Sequence, residues 1–208
     1  MILYYIHDPM CSWCWAFAPI WGEIRQQLPK NITVKYLLGG LAPDNNEPMP
    51  ATLQAQIQKH WKTIEKKVPG TRFNYTFWEK CTPRRSTYPA CRAVIAARNQ
   101  DIRHEPKMIL AIQQAYYLDA QNPSHDDVLI NLARQLKLNA EQFQNDLNSN
   151  TTQQKLDDEI CLSRKLSTRG FPDLVLQTQY QQETIYHSVP LDYICAKSTL
   201  KYIQTALQ

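Results

Sequence analysis

The spacing of apolar residues predicts a strand, a helix and a second strand at the start of the chain. Residues 2–6, Ile-Leu-Tyr-Tyr-Ile, form an unbroken β-branched, aromatic and aliphatic run that is typical of a short buried strand. Apolar positions then recur every three or four residues over 11–28, which predicts a helix. Pro19 should kink it, because proline lacks the backbone donor and clashes with the preceding turn. Residues 32–38 predict a second strand, which Gly39-Gly40 closes.

The middle of the chain has a helical period throughout. Pro89 stands in the first turn of one predicted helix, a position that proline favours. Ser124 with Asp127, and Asn139 with Gln142, have the spacing of capping boxes and predict two further helix starts. One apolar stripe consists of Leu53, Ile57, Trp61, Ile64 and Val68.

The period changes again after Gly170-Phe171-Pro172. Residues 174–176 predict a strand, and 184–186 predict its hairpin partner. A final amphipathic helix carries Tyr193, Ile194, Leu200, Ile203 and Leu207. The whole pattern predicts an α/β protein in which an all-helical insertion at 43–167 separates a βαβ part at 1–42 from a ββα part at 168–208.

Composition and charge exclude several classes of protein. A hydrophobic share of 43% and a charged share of 20% are ordinary for a globular protein and exclude wholesale disorder. A net charge of +4 without a long basic run gives no reason to expect a nucleic acid partner. No segment approaches the roughly 18 apolar residues of a membrane helix, and the N-terminal segment does not have the pattern of a signal peptide. We therefore expect a cytoplasmic monomer without a membrane partner.

The cysteine spacing is the first feature that indicates chemistry. Cys11 and Cys14 lie three positions apart at a predicted helix start, where free backbone N–H groups favour the negative charge of a thiolate. Cys11 is the expected nucleophile, and Cys14, one turn inside the helix, is placed to resolve a mixed disulfide. Cys161 and Cys195 are expected to be buried free thiols that act as small hydrophobic residues.

Zinc binding and coincidence are the alternatives for this pair. Structural zinc needs a second ligand pair at short spacing, whereas Cys81 and Cys91 are ten positions apart and no matching histidine pair occurs. A CxxC that directly follows a strand and begins a helix also argues against coincidence. We expect neither a metal nor an organic cofactor, although glutathione is a possible co-substrate.

Four segments resemble one known family. Residues 8–19, Asp-Pro-Met-Cys-Ser-Trp-Cys-Trp-Ala-Phe-Ala-Pro, resemble the active-site segment of DsbA-like thioredoxin-fold proteins, and most closely their cytoplasmic FrnE-like branch. This branch neighbours the 2-hydroxychromene-2-carboxylate isomerases and kappa-class glutathione transferases. Residues 38–41, 86–93 and 170–172 resemble further segments of the branch, in the same order.

The resemblance implies a thioredoxin fold in which substrate binds between Cys11 and a cis-proline loop. In that loop the backbone of Phe171, before Pro172, pairs with an extended substrate segment, since proline itself has no N–H to offer. Ser12 and Trp13 complete the expected substrate-binding set. The pair Ser12-Trp13 provides no His or Pro to stabilise a thiolate, and Asp173 adds a negative charge, so strong oxidase behaviour is not expected.

Other residues near these motifs have two readings each. His7 either donates to the Cys11 thiolate or is satisfied by backbone at the strand end. The cleft opposite the cysteines is the expected place of Ser86, Thr87 and Arg92. Arg92 is equally well a solvated helix residue. Arg84-Arg85 either attract an acidic substrate such as glutathione or form an ordinary surface pair. Phe17 and Trp21 are expected in the core.

The expected function is that of a thiol–disulfide oxidoreductase whose partners are protein or small-molecule thiols and disulfides. One rival is a glutathione-dependent isomerase or transferase on the same fold, in which a serine at position 11 would be commoner than a cysteine pair. A second rival is a non-catalytic module that binds peptides between its two parts.

Overall fold

The strands at the two ends of the chain form one four-stranded sheet. The structure, a computed structural model, describes residues 1–206, so Leu207 lies outside the described residues. In chain order the elements are β1 (Ile2–His7), α1 (Ser12–Gln27), β2 (Thr33–Leu38), α2 (Ala51–Lys67), α3 (Phe77–Lys80), α4 (Tyr88–Gln100), a 3₁₀ turn (Ile102–His104), α5 (Glu105–Tyr117), α6 (Asp126–Gln135), α7 (Ala140–Leu147), α8 (Asn150–Lys165), β3 (Asp173–Tyr180), β4 (Glu183–Val189) and α9 (Ala196–Thr205).

The sheet has the strand order β2-β1-β3-β4. β1 and β2 are parallel, in a register that pairs Ile2 with Thr33, and the crossover between them is α1. β3 runs antiparallel to both β1 and β4. The predicted hairpin is confirmed, because Ile185 pairs with Thr178.

β1 is apolar on both sides because helices cover both faces of the sheet. Leu3 and Tyr5 pack with residues of α1 and α9. Tyr4 and Ile6 point to the opposite face, where Leu162 of α8 packs against them. A strand that is buried on both faces needs a continuous apolar run rather than alternation, and 2–6 is such a run.

The helices α2 to α8, between β2 and β3 in the chain, bury a second core. Trp61 and Tyr117 are fully buried within it, and Trp61 stacks on Phe73 with ring centroids 4.8 Å apart. The expected architecture, an α/β sheet protein with a helical insertion, is therefore confirmed. The boundaries at 42/43 and 167/168, and the kink at Pro19, stay predictions.

The two predicted helix caps have different outcomes. The Asn139 side chain accepts a hydrogen bond from the Gln142 N–H at 3.0 Å, which confirms that cap. The prediction for Ser124 is wrong, since α6 begins after His125 without a side-chain cap. Ser124 is buried and its hydroxyl donates to the carbonyl of Ser86 at 2.7 Å, so it satisfies a buried acceptor in the core instead.

Candidate active site

Cys11 lies at the point where the chain turns from β1 into α1. Its N–H donates to the carbonyl of Asp8 at 3.0 Å, and its own carbonyl accepts from Trp15 N–H at 3.1 Å. Cys11 is therefore the residue that precedes the first helical residue, Ser12. Its side chain makes no capping hydrogen bond to the helix start.

The cis-proline loop brings a backbone carbonyl to this sulfur. The Phe171–Pro172 peptide bond is cis. The Cys11 thiol donates to the Phe171 carbonyl oxygen at a sulfur–oxygen distance of 3.4 Å, across 160 positions of sequence. Gly39 makes room for the Phe171 ring, since a Cβ at Gly39 would lie 2.0 Å from a ring carbon. The two segments that the sequence singled out thus lie together.

Burial makes the two cysteines of the pair unequal. Cys11 is 7% exposed and Cys14 is fully buried. Burial raises the pKa of the Cys14 thiol well above its usual range, and the neighbouring Cys11 thiol adds to the rise. Both cysteines are free thiols, so the structure shows the dithiol form of the pair.

Trp13 lies between two cavities next to the pair. Its ring packs edge-on against Tyr193, with centroids 5.2 Å apart. On one side it lines a cleft of about 380 Å³ together with Cys11, Ser12 and Phe171. On the other side it lines an apolar cavity of about 610 Å³ with Tyr193. Four of the predicted site residues therefore share one cleft.

The segment before Cys11 is fixed by a residue that the sequence did not single out. The Tyr117 hydroxyl, fully buried, donates to the Met10 carbonyl at 2.6 Å. The Tyr117 ring stacks on Trp15 at 5.8 Å. Trp15 Nε1 in turn donates to the Arg72 carbonyl at 3.1 Å. α1 is thus attached to the helical core at its first turn. Phe17 and Trp21 are buried, as expected for core residues.

Asp8 is a second residue that sequence reasoning missed. One carboxylate oxygen accepts from Met10 N–H at 2.8 Å. The other accepts from Leu41 N–H at 2.7 Å, from the Thr87 hydroxyl at 2.6 Å and from the Cys91 thiol at 3.6 Å. Burial nevertheless raises the pKa of this carboxyl. The available signal was an acidic residue at the carboxyl end of a buried strand, three positions before the first cysteine.

Both readings of His7 are wrong. Its ring is fully buried and stacks on Tyr5 with centroids 5.1 Å apart. Neither ring nitrogen has a hydrogen-bond partner among residues 1–206, so His7 binds neither Cys11 nor backbone there. Burial, with a contribution from the Arg98 charge, lowers the pKa of His7 to about 3. The side chain is a neutral part of the core.

Residues 86–93, one of the segments that resemble the family, do not line the cleft. They contact the site through Asp8 instead. Ser86 and Thr87 are buried, and Thr87 bonds Asp8. Arg92 is buried rather than solvated, because it pairs with Asp44 at 2.6 Å and donates to the Gln153 side chain at 2.9 Å.

Arg84 and Arg85 differ in what surrounds them. Arg84 donates to the Asn46 side chain at 2.7 Å and to the Ser124 carbonyl, which makes it a structural residue. Arg85 is half-buried and lines the cleft beside Cys11. The reading of an ordinary surface pair is therefore wrong.

The four remaining cysteines take no part in the cleft. Cys161 and Cys195 are exposed, so the expectation that they are buried is wrong. Each lies on the solvent side of its helix or at its start. Cys91 is buried against Asp8, and half-buried Cys81 donates to the Ala120 carbonyl at 3.2 Å.

The described part of the chain has neither a metal-binding cluster nor a helix suited to cross a membrane. Within residues 1–206 no group of three or more His, Cys, Asp or Glu side chains is arranged to hold a metal ion. Across the same residues, every helix is too short or too polar to traverse a bilayer.

Asp173, half-buried after Pro172, accepts from Leu174 N–H at 2.9 Å, and burial raises its pKa.

A strand that leads into a CxxC helix start, facing a cis-proline loop, is the arrangement of thioredoxin-fold redox proteins. A family model described as thioredoxin matches residues 4–189, so the chain belongs to this thioredoxin family.

Solved structures agree with the expected DsbA-like architecture. A protein from Nitrosomonas europaea, provisionally described as a protein disulfide isomerase, is 29% identical, with a TM-score of 0.86 over 100% of this chain and 97% of that one. The cytosolic disulfide reductase DsbM from Pseudomonas aeruginosa is 22% identical, with a TM-score of 0.77 over 100% and 98%.

A curated relative has a different description. The ClpXP adapter protein SpxH from Bacillus subtilis is 22% identical over 192 residues. The match covers 92% of this chain and 62% of the relative, so the chain spans less than two thirds of that protein's length.

Proposed function

We propose that the protein is a thiol–disulfide oxidoreductase that works through Cys11 and Cys14. One observation carries the proposal: a partly accessible sulfur at a helix start lies 3.4 Å from the carbonyl of the cis-proline loop, with a second, fully buried thiol one turn further along the helix. Nucleophilic attack, resolution and substrate docking each need one of these three groups.

The reaction on a substrate disulfide has two exchanges. The Cys11 thiolate attacks one sulfur, the substrate S–S bond breaks, and one substrate thiolate leaves while a mixed disulfide forms on Cys11. Cys14, as the thiolate, then attacks the Cys11 sulfur and releases the second substrate thiolate. Two electrons have passed to the substrate, and the protein holds a Cys11–Cys14 disulfide.

The substrate segment docks on the cleft that contains Cys11. The Phe171 backbone, displaced from its contact with the Cys11 thiol, pairs with an extended segment, and Pro172 fixes the turn that presents it. Ser12 and Trp13 flank the attacked sulfur, where the Trp13 ring provides apolar contact.

The cycle is closed by an external thiol that reduces the Cys11–Cys14 disulfide, and it requires neither a metal nor an organic cofactor. Support for a small thiol in this role comes from DsbM, whose structure has also been solved with glutathione. That relative is described as cytosolic, which supports a reducing compartment for this protein too. We further propose that the protein works as a monomer.

Mass spectrometry of two variants tests the assignment of roles. After mixing with a model disulfide, Cys14→Ser should accumulate a mixed disulfide on Cys11, because attack proceeds and resolution does not. Cys11→Ser should give no adduct at position 14, since that sulfur is buried. An adduct on Cys11→Ser but not on Cys14→Ser would reverse the roles.

Adapter-type binding of another protein is the second candidate, because the curated SpxH relatives carry that description. Binding of this kind would not need the sulfurs. A partner that copurifies equally with the wild type and with the double variant Cys11→Ser/Cys14→Ser would favour it. A glutathione-dependent isomerase is disfavoured by the retained cysteine pair.

A further inference from the structure

The cleft beside Cys11 holds a cation without a carboxylate partner. Arg85 lies on the wall of this 380 Å³ space, whose other walls include Cys11, Trp13 and Phe171. Within residues 1–206, Arg85 makes no ion pair and no side-chain hydrogen bond, although it is half-buried.

The other half-buried or buried arginines among the described residues have hydrogen-bonding or ion-pair partners. Arg92 pairs with Asp44. Arg98 lies between Glu105 and Glu159 and pairs with both. A guanidinium offers donors in a planar fork that matches a carboxylate. Arg85 keeps this capacity free beside the nucleophile.

The surroundings of Arg85 strengthen its attraction for an anion. No Asp or Glu is among the described residues that line the cleft, and its walls are largely apolar. An apolar wall lowers the local dielectric constant, so the field of a single cation is less screened than in water. Gln56 and His60 of α2 also line the cleft and add polar groups that can meet a ligand.

We propose that Arg85 is a specificity-determining residue that selects disulfides whose cysteine sulfur is accompanied by a nearby carboxylate, such as small acidic peptides. The inference rests on the proposed function, because the substrate sulfur is placed at Cys11 while the carboxylate binds Arg85. The volume of the cleft is within the range of sites for small ligands.

Single-turnover kinetics with two probe disulfides test this assignment. The reduced protein is mixed with oxidised glutathione, which carries carboxylates on each half, or with neutral 2-hydroxyethyl disulfide. The second-order rate constant of protein oxidation is measured for each. In Arg85→Gln the ratio of the two constants, glutathione over neutral, should fall about tenfold or more, the order expected for loss of a charge-assisted hydrogen bond. Arg85→Lys, which keeps the charge, should retain part of the ratio.

Two controls, added salt and a matched variant, distinguish a local effect of Arg85 on the ratio from an effect of the net charge of the protein. Added NaCl should lower the wild-type ratio and leave that of Arg85→Gln nearly constant. Arg134→Gln removes the same charge from the exposed side of α6 and should keep the wild-type ratio. An unchanged ratio in Arg85→Gln, or an equal fall of both rate constants, would overturn the inference and leave the proposed function standing. Failure of the wild type to react with either disulfide would instead contradict the proposed function.

Discussion

At the scale of single residues, burial distinguishes Cys11 from Cys14 in the reaction that we propose. A sulfur at the surface of the cleft can meet a substrate, whereas a fully buried sulfur meets only its neighbour in the helix. The raised pKa of the Cys14 thiol favours its protonated form. In the proposed reaction Cys14 therefore does not compete for substrate, and its own attack on Cys11 is slow.

Resolution should therefore depend steeply on pH. At a saturating disulfide concentration, the rate of Cys11–Cys14 disulfide formation should rise about tenfold per pH unit from pH 7 upward, because the thiolate fraction rises by that factor below the pKa. Stopped-flow measurement between pH 7 and 9 checks this. A rate constant that does not change over that range would mean that burial does not control Cys14.

His7 should make folding stability sensitive to acid. Its pKa is lowered to about 3 in the folded protein, against about 6.5 in an unfolded chain. Between these values the unfolded state binds a proton that the folded state does not. The free energy of unfolding should therefore fall as the pH drops below about 6.5, with a contribution from His7 of about 1.4 kcal/mol per pH unit.

His7→Leu, an apolar replacement of similar volume, removes this contribution. Denaturant unfolding of both proteins from pH 6.5 to pH 5 should give a shallower pH slope for the variant, whatever its absolute stability. Identical slopes would show that His7 takes up its proton in the folded state as easily as in the unfolded chain.

At the scale of elements, the turn after β2 and the loop before β3 depend on each other. Gly39 leaves the space that the Phe171 ring occupies, and the Phe171 carbonyl meets Cys11. A side chain at position 39 would therefore act, through the Phe171 ring, on the backbone that we propose as the docking surface.

Gly39→Ala should displace the Phe171 ring, because its Cβ would approach ring carbons to 2.0 and 2.1 Å. We expect a loss of stability of about 1–3 kcal/mol, as for other overpacked sites, together with slower reduction of protein disulfides. Gly22→Ala is the matched control, since no atom lies within 4 Å of its new Cβ and alanine favours the helix interior. Equal behaviour of the two variants in unfolding and in insulin reduction would contradict this coupling.

The elements were predictable because each has a local cause. The apolar run at 2–6, the helical stripe at 11–28 and the hairpin near the end of the chain all appear where the periods place them. The cap at Ser124 failed because a long-range bond to the Ser86 carbonyl outweighed the local capping pattern. Local rules cannot anticipate such a bond.

At the scale of the whole molecule, Asp8 joins the sheet part to the helical part. Its carboxylate accepts hydrogen bonds from the cysteine segment, from the turn after β2 and from the start of α4. The proximity of the CxxC and the cis-proline loop was predictable from motifs. The ties through Asp8 and Tyr117 were not, because their partners Thr87, Leu41 and Met10 lie far from them in sequence.

Asp8→Asn should lower the free energy of unfolding by about 1–3 kcal/mol, because an amide nitrogen must face donors that a carboxylate oxygen now satisfies. Asp119→Asn, at an exposed position, should change it by less than about 0.5 kcal/mol. Urea unfolding of the three proteins checks the difference. A fall as small as that of the control would mean that Asp8 does not tie the two parts together.

Two exposed thiols outside the cleft affect any assay that counts the thiols or the electrons of this protein. Cys161 and Cys195 face solvent, whereas Cys11 is nearly covered and Cys14 is enclosed. An alkylating reagent will therefore titrate the two surface groups before it reports on the redox couple, and air oxidation can cross-link them between molecules. Coulometry or mass counting of the proposed Cys11–Cys14 couple becomes clearer in a Cys161→Ser/Cys195→Ser background, because the other thiols outside the pair, Cys81 and Cys91, are half-buried and buried.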